Sequence, residues 1–127
     1  MSLRQENSKI LIVDDEPGIR ALLVSAIREF LPHCQIEVAS DGIEASQKWA
    51  ALNPDLVILD IKMPRMSGLE VCRLLREQPD HLHTRILAIS GDFSWDLPIK
   101  AFHRGASEFL QKPFELKDLT GSIKRLL

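Results

Sequence analysis

The chain has 127 residues, of which 45% are hydrophobic and 27% charged, and its formal net charge at pH 7 is -2. This length predicts one globular domain, residues 9–127, after a short N-terminal tail, residues 1–8. The charge balance offers no basic surface for a nucleic-acid backbone, and no apolar run approaches the roughly 18 residues that span a bilayer. We therefore expect a cytoplasmic protein with neither membrane association nor direct nucleic-acid binding.

Strand-like and helical patterns alternate along the chain. Short apolar segments rich in β-branched residues predict strands, and apolar residues at three- and four-residue spacing predict amphipathic helices. The predicted elements, in chain order, are strand 10–13, helix 17–30, strand 36–39, helix 42–52, strand 56–59, a helix through 69–75 ending before Pro79, strand 86–89, a helix from about 94–98 to Gly105, a short strand at 109–110 and helix 116–126.

This alternation predicts an α/β fold in which strand and helix repeat five times. Short connections and right-handed crossovers then require a doubly wound parallel sheet with helices on both faces. Functional sites in such sheets lie outside the carboxyl ends of the strands. The two cysteines, Cys34 and Cys72, lie beside apolar residues without metal-ligand spacing, so we expect reduced structural thiols.

Three carboxylates follow predicted strands and are expected at that edge of the sheet. Asp14 and Asp15 follow the first strand, and Asp60 follows the third. Aspartate is common at helix N-caps, so Asp15 could instead open the first helix. Asp60 cannot cap a helix that starts near Ser67. Clustered carboxylates repel one another and favour a hard divalent cation, and Mg²⁺ suits them because it leaves positions for water and a phosphoryl group.

Two further polar residues end strands at the same edge. Ser90 follows the fourth strand with a hydroxyl that can donate to a phosphoryl oxygen, and Lys112 follows the fifth with a positive charge. A serine at a strand end is often a turn former, and a lysine is often a solvated cation. Together with the acids, these residues indicate a site for phosphoryl chemistry.

At these residues the chain resembles the response-regulator receiver domains of two-component signalling, from about Lys9 to Leu127. The resemblance implies a flavodoxin-like fold with strand order 2-1-3-4-5, an order that the family is known for. The motifs that carry it are Ile12-Val13-Asp14-Asp15-Glu16, Pro54-Asp55-Leu56-Val57-Ile58-Leu59-Asp60-Ile61-Lys62-Met63-Pro64, Ser67-Gly68-Leu69-Glu70, Ser90-Gly91, Gly105-Ala106 and Leu110-Gln111-Lys112-Pro113-Phe114.

The resemblance also implies the role of each site residue. Asp60 is expected to be the phosphoacceptor, taking a phosphoryl group from the phosphohistidine of a histidine kinase or a histidine phosphotransfer protein. Mg²⁺ is expected to be bound by Asp15, Asp60 and the backbone carbonyl of Lys62 directly, and by Asp14 through water. Lys112 is expected to pair with the phosphoryl group, and the Lys112-Pro113 bond to be cis.

A conformational switch is implied as well. Ser90 is expected to move toward the phosphoryl group, and the ring of Phe109 to turn into the space that it leaves. The fourth helix, fifth strand and fifth helix then form the output surface, which is also a candidate homodimer interface. The resemblance therefore predicts a signalling switch and not an enzyme.

Other readings of the acidic cluster are weaker. A haloacid-dehalogenase-type phosphatase needs a second aspartate two residues after its nucleophile, where this chain has Lys62. A flavodoxin is disfavoured because Asp14, Asp15 and Glu16 would repel a flavin phosphate. The remaining alternative is an interaction module with the receiver fold that no longer cycles phosphate.

Two residues are predicted to control the loss of phosphate. Lys62 and Asp92 each lie two residues past a site residue, and we expect them to pair over the phosphoryl group as a lid that excludes water. The alternative is that Asp92 orients the attacking water while Lys62 points to solvent. The four histidines, His33, His81, His83 and His103, are predicted to be surface or loop residues.

Overall fold

The computed structural model describes residues 7–92 and 94–127, so residues 1–6 of the predicted tail lie outside the described residues. Within these residues five strands alternate with five helices, as the sequence predicts. The elements are β1 (Lys9–Val13), α1 (Pro17–Phe30), β2 (Gln35–Ala39), α2 (Gly42–Leu52), β3 (Leu56–Asp60), α3 (Gly68–Arg76), a 3₁₀ turn (Pro79–His81), β4 (Arg85–Ser90), α4 (Leu97–His103), β5 (Glu108–Gln111) and α5 (Leu116–Leu126).

The strands form one parallel sheet in the order β2-β1-β3-β4-β5. Ile12 of β1 pairs with Val38 on one side and with Ile58 on the other. The central strand β3 is buried throughout, whereas β2 and β5 at the edges are partly exposed. This arrangement confirms the predicted flavodoxin-like fold.

Each face of the sheet is covered by its own hydrophobic cluster. On one face α1 and α5 pack through Leu23, Ile27 and Ile123. On the other face α2, α3 and α4 pack through residues that include Trp49 and Cys72. Helices on both faces explain why β1 and β3 have no alternation of polar and apolar residues, since neither face of these strands meets water.

Two helix ends are set by residues that can be recognised in the sequence. Asn53, with φ of 51° in the left-handed region, ends α2, and Pro54 follows it. The Ser67 side chain accepts a hydrogen bond from the Glu70 amide and starts α3. The Lys112-Pro113 bond is cis, as expected.

Both cysteines are buried as free thiols, which confirms their predicted structural character. Burial raises the pKa of Cys72 to about 12 and raises the pKa of Cys34 as well. A thiol that stays protonated at neutral pH is a poor nucleophile and a poor metal ligand. We therefore assign neither cysteine a chemical role.

His81 lies in the connection between α3 and β4, as predicted for a loop residue, but it is not a surface residue, because it is only 6% exposed. The 3₁₀ turn folds its ring against Trp49, with ring centroids 6.4 Å apart, and its backbone carbonyl accepts a hydrogen bond from the Arg76 guanidinium at 3.0 Å. Burial, together with the neighbouring His83, lowers the pKa of His81 and favours the neutral ring. The contact with Trp49 therefore makes His81 a buried residue of this connection.

Candidate functional site

The residues predicted to form the site end four adjacent strands. Asp14 and Asp15 follow β1, Asp60 is the last residue of β3, Ser90 is the last of β4, and Lys112 follows β5. Asp60 pairs in register with Ile89, so Ser90 lies one residue further along the neighbouring strand. The parallel register thus brings all five residues to one edge of the sheet.

Three carboxylates meet at this edge. One carboxylate oxygen from each of Asp14, Asp15 and Asp60 lies within 4.8 Å of the others. Asp14 is 1% exposed and Asp60 4% exposed, so little solvent separates their charges. This geometry matches the oxygen ligands of a hard divalent cation, as the sequence predicts.

The structure excludes the capping interpretation of Asp15. The N-cap residue of α1 is Glu16, and no side chain caps this helix end. Asp14 accepts a hydrogen bond from the Glu16 amide at 2.9 Å, which shapes the turn after β1. Asp15 is therefore not an N-cap, and its carboxylate belongs to the acidic cluster.

Lys112 supplies the positive charge of the cluster. Its Nζ lies 3.2 Å from Asp14 Oδ2 and 3.9 Å from Asp60 Oδ1. The side chain is only 20% exposed, so water screens these contacts weakly. Lys112 is held beside the carboxylates by its backbone amide, which donates to the carbonyl of Ser90 at 2.8 Å.

Asp60 has the most perturbed carboxyl of the site. Burial raises its pKa to about 7, and the negative charges of Asp14 and Asp15 act in the same direction. Lys112 and the Lys62 amide, which donates to Asp60 Oδ1 at 3.3 Å, oppose this rise. The carboxylate of Asp60 is therefore costly to charge without a further cation, which favours metal binding at this point.

We expect the buried Asp60 carboxyl to make stability depend on pH when metal is removed with a chelator. Its pKa is higher in the folded than in the unfolded protein, so folded protein binds more protons and its stability falls as pH rises from about 4 to about 7. Asp60→Asn lacks this titration. Above pH 7 it should be more stable than the native protein by up to about 4 kcal/mol, the free energy that corresponds to a pKa raised from the ordinary value to about 7. Urea unfolding of both proteins at several pH values measures the difference, and a difference independent of pH would contradict the expectation.

The remaining predicted site residues lie around this cluster. Ser90 is fully buried, and its hydroxyl oxygen accepts a hydrogen bond from the Asp92 amide at 3.1 Å, which leaves its own proton available to donate. Phe109 of β5 pairs in register with Ala88 and packs, partly buried, against the cluster on the α2, α3 and α4 face. Both positions are compatible with the expected switch.

Lys62 and Asp92 form an ion pair beside the site. Lys62 Nζ lies 2.6 Å from Asp92 Oδ2, which joins the loop after β3 to the loop after β4. The two side chains are 73% and 45% exposed, so the pair lies at the solvent boundary. The predicted pairing is confirmed, while its effect on phosphate loss stays a prediction.

Two residues of the site were not recognised from the sequence. A Cβ atom on Gly68 would lie 2.3 Å from the carbonyl oxygen of Asp60, so only glycine fits beside the strand end. The guanidinium of Arg20 donates to the carbonyl oxygen of Asp14 at 2.7 Å. Gly68 belongs to the Ser67-Gly68-Leu69-Glu70 motif, which gives it no role, and nothing in the spacing indicates the contact of Arg20.

Comparison with known proteins agrees with this geometry. The sequence profile described as "Response regulator receiver domain" matches residues 10–124. The chain belongs to the response regulator receiver domain family. It is 38% identical over 119 residues to response regulator MprA of Mycobacterium leprae (strain TN), a match that covers 94% of the chain and 50% of that relative.

Solved receiver structures show the same fold. The chemotaxis protein CheY4 of Vibrio cholerae superposes with a TM-score of 0.88 and 30% identity, over 95% of this chain and 99% of that one. The receiver domain of a signal transduction histidine kinase from Syntrophus aciditrophicus gives 0.85 and 32% identity, over 94% and 89%. The chain spans about half the length of the curated relatives that it matches. Within the part of the chain that the structure describes, no helix has the length and apolarity to cross a membrane.

Proposed function

We propose that this receiver domain accepts a phosphoryl group on Asp60 from the phosphohistidine of a histidine kinase or histidine phosphotransfer protein. The observation that carries the proposal is the cluster of Asp14, Asp15 and Asp60 with the Lys112 ammonium beside it. Asp60 ends the central strand β3, and its carboxylate lies beside both other acids and 3.9 Å from the Lys112 ammonium. This placement suits a nucleophile whose product gains negative charge.

The transfer is a displacement at phosphorus. A carboxylate oxygen of Asp60 forms the new P–O bond while the P–N bond to the donor imidazole breaks, and the imidazole leaves with that electron pair. Lys112 pairs with an oxygen of the phosphoryl group in place of its present contact with Asp60, and Ser90 donates its hydroxyl proton to another oxygen. The product is an acyl phosphate, and its hydrolysis restores Asp60.

The site residues fit Mg²⁺ as the cofactor. Asp15, Asp60 and the Lys62 carbonyl are proposed as direct ligands, with Asp14 bound through water. A bound Mg²⁺ ion supplies charge neutralisation on the oxygens of the transferring group. The proposal is supported by three carboxylate oxygens within 4.8 Å of one another and by the burial that raises the pKa of Asp60.

The donor protein is proposed to dock beside Lys112. An apolar groove of about 470 Å³ is lined by residues of α1 and of the loop after β5, including Ile19, Leu22 and Phe114, and it extends to Lys112 itself. Leu22 is 64% exposed, so the groove offers an apolar side chain to a partner protein. A protein bound here would hold a phosphohistidine close to Asp60.

The output surface is proposed to lie on α4, β5 and α5, where a second copy of the chain or another domain can bind. α4 exposes Ile99 and Phe102, at 59% and 49%, and Trp95 just before it is 86% exposed. Phe109 joins this surface to the site through β5. Because the relatives are about twice as long, nucleic-acid binding by a full-length protein remains compatible with a receiver that makes no such contact itself.

We expect labelling with acetyl phosphate to depend on Mg²⁺. The native protein should gain one phosphate with Mg²⁺ and none with chelator, because the acidic pocket repels a phosphodonor without added positive charge. Asp15→Ala should bind Mg²⁺ at least about tenfold more weakly, in line with loss of a principal ligand, and should label slowly. Intact mass and calorimetric titration measure the two effects.

Asp80→Ala, which removes an exposed carboxylate from the 3₁₀ turn, is the matched control and should behave like the native protein. If the native protein gains no phosphate under any of these conditions, the alternative of an interaction module that does not cycle phosphate is favoured. If Asp15→Ala titrates with Mg²⁺ like the control, the metal assignment is wrong.

The ion pair of Lys62 and Asp92 is expected to slow the loss of phosphate. At 2.6 Å the pair spans the two loops beside Asp60, so breaking it opens the path by which water approaches the phosphorus. Lys62→Ala and Asp92→Ala should both lose phosphate several-fold faster than the native protein in the same Mg²⁺ concentration. Mass spectrometry at timed intervals after removal of the phosphodonor follows the decay.

Lys100→Ala is the control, because it breaks an exposed ion pair of 3.0 Å between Lys100 of α4 and Asp96, the residue before this helix. Its decay should match that of the native protein. Slower decay in Asp92→Ala together with unchanged decay in Lys62→Ala would show that Asp92 orients the attacking water, and it would refute the lid.

A further inference from the structure

The loop that carries the first two acids is held from α1. Arg20 lies in the first turns of this helix, and its Nη1 donates to the carbonyl oxygen of Asp14 at 2.7 Å. That carbonyl belongs to the peptide unit between Asp14 and Asp15. The Arg20 side chain is half-buried, so the contact is partly shielded from water.

Asp14 is fixed at four points. Its amide donates to the Ala39 carbonyl at 3.1 Å, its carboxylate accepts from the Glu16 amide at 2.9 Å and from Lys112 at 3.2 Å, and its carbonyl accepts from Arg20. The first three contacts orient Asp14 itself. The Arg20 contact is the one that orients the peptide leading to Asp15.

Charge and positioning predict opposite effects for Arg20 on a cation at this site. A guanidinium beside the acidic cluster repels a divalent cation, so removing it would strengthen cation binding if charge alone mattered. A guanidinium that orients the Asp15 peptide holds the Asp15 carboxylate in place for the cation, so removing the guanidinium would weaken cation binding. The direction of the change therefore distinguishes the two roles.

We propose that Arg20 is a positioning residue for metal binding, and that it acts by holding the Asp14 carbonyl so that the Asp15 carboxylate faces Asp14 and Asp60. This inference rests on the proposed Mg²⁺ site. A charge-assisted hydrogen bond to a carbonyl is stronger than a neutral one, and bonds that orient metal ligands strongly affect metal affinity. The net effect of Arg20 is then to strengthen cation binding despite its charge.

The test is calorimetric titration of the whole chain with Mg²⁺ at constant ionic strength. Arg20→Gln should weaken Mg²⁺ binding by about tenfold, the lower end of the effect of removing a bond that orients a metal ligand. Arg20→Lys, which keeps a charged donor, should recover most of the affinity. Arg28→Gln removes the same charge from an exposed position near the end of α1 and should leave the affinity within about twofold of native, as expected for a distant screened charge.

A second readout separates positioning from a damaged fold. At saturating Mg²⁺ the rate of labelling by acetyl phosphate should return to near the native rate in Arg20→Gln, because the acceptor itself is intact. Circular dichroism and the melting temperature verify folding, and Arg20→Ala, which suits a helix, is a second variant with the same expected weakening.

The outcomes are distinct. Native or tighter Mg²⁺ binding in Arg20→Gln and Arg20→Ala overturns the positioning role and leaves the proposed function standing. Absence of Mg²⁺ binding by the native protein overturns the proposed metal site, and the role of Arg20 with it. Weaker binding in Arg20→Gln that Arg20→Lys does not restore shows that the bond to the Asp14 carbonyl is not what matters, and it also overturns the proposal.

Discussion

Asp60→Asn is expected to abolish phosphorylation. The substitution keeps the size of the side chain but replaces the carboxylate nucleophile with an amide, which cannot form a stable acyl phosphate. We expect no other carboxylate to replace it. Asp14 accepts hydrogen bonds through both oxygens, from the Glu16 amide and from Lys112, and Asp15 is partly exposed at the outer side of the acidic cluster. Incubation with acetyl phosphate and Mg²⁺ followed by intact mass measurement should show phosphate on the native protein alone.

Asp80→Asn makes the same chemical change on the exposed 3₁₀ turn and should be labelled like the native protein. The stability of Asp60→Asn provides an internal check that loss of labelling is not loss of folding, since the substitution is expected to stabilise the metal-free protein above pH 7. Phosphate on Asp60→Asn at the native level would show that another residue is the acceptor.

Gly68→Ala is expected to destabilise the fold and displace the phosphoacceptor. The added Cβ would lie 2.3 Å from the Asp60 carbonyl oxygen and 2.6 Å from the Cα atom of Ile61, and both are backbone atoms that cannot rotate away. Overpacking of this kind costs about 1–3 kcal/mol and occasionally more. Relief of the clash requires the end of β3 to move relative to α3, so the labelling rate should also fall.

The matched control is Gly121→Ala in α5. Its added Cβ would meet only the Arg125 guanidinium at 3.5 Å, an ordinary contact with a flexible side chain. Replacing glycine by alanine inside a helix is expected to stabilise by about 0.5–1 kcal/mol. Urea unfolding should therefore show a loss of stability in Gly68→Ala and a gain in Gly121→Ala, and only Gly68→Ala should label more slowly than the native protein. Equal stability of the two variants would show that the backbone at Gly68 adapts without strain.

The sequence by itself was sufficient to predict the order of elements and the edge of the sheet where the site lies. Continuous apolar segments such as residues 56–59 predict strands with two buried faces, and helical spacing predicts the segments that cover them. Because all strands are parallel, residues that follow them, such as Asp14 and Asp60, must share one edge. These conclusions need only local periodicity and connection rules, which a linear sequence contains.

The resemblance of the motifs added the strand order and the roles of the residues. The structure confirmed the order and the meeting of the three acids, and it also confirmed the pairing of Lys62 with Asp92. It contradicted the surface position of His81, whose burial depends on how the 3₁₀ turn packs against Trp49. Such packing joins segments that are far apart in the chain.

Only the tertiary structure decided the close contacts within the site. Lys112 lies nearer to Asp14 than to Asp60, Arg20 reaches back to the Asp14 carbonyl, and Gly68 leaves no space for a side chain beside Asp60. The pKa of Asp60 likewise depends on burial by several elements at once. Each of these effects arises from the approach of separate elements whose distances no sequence spacing specifies.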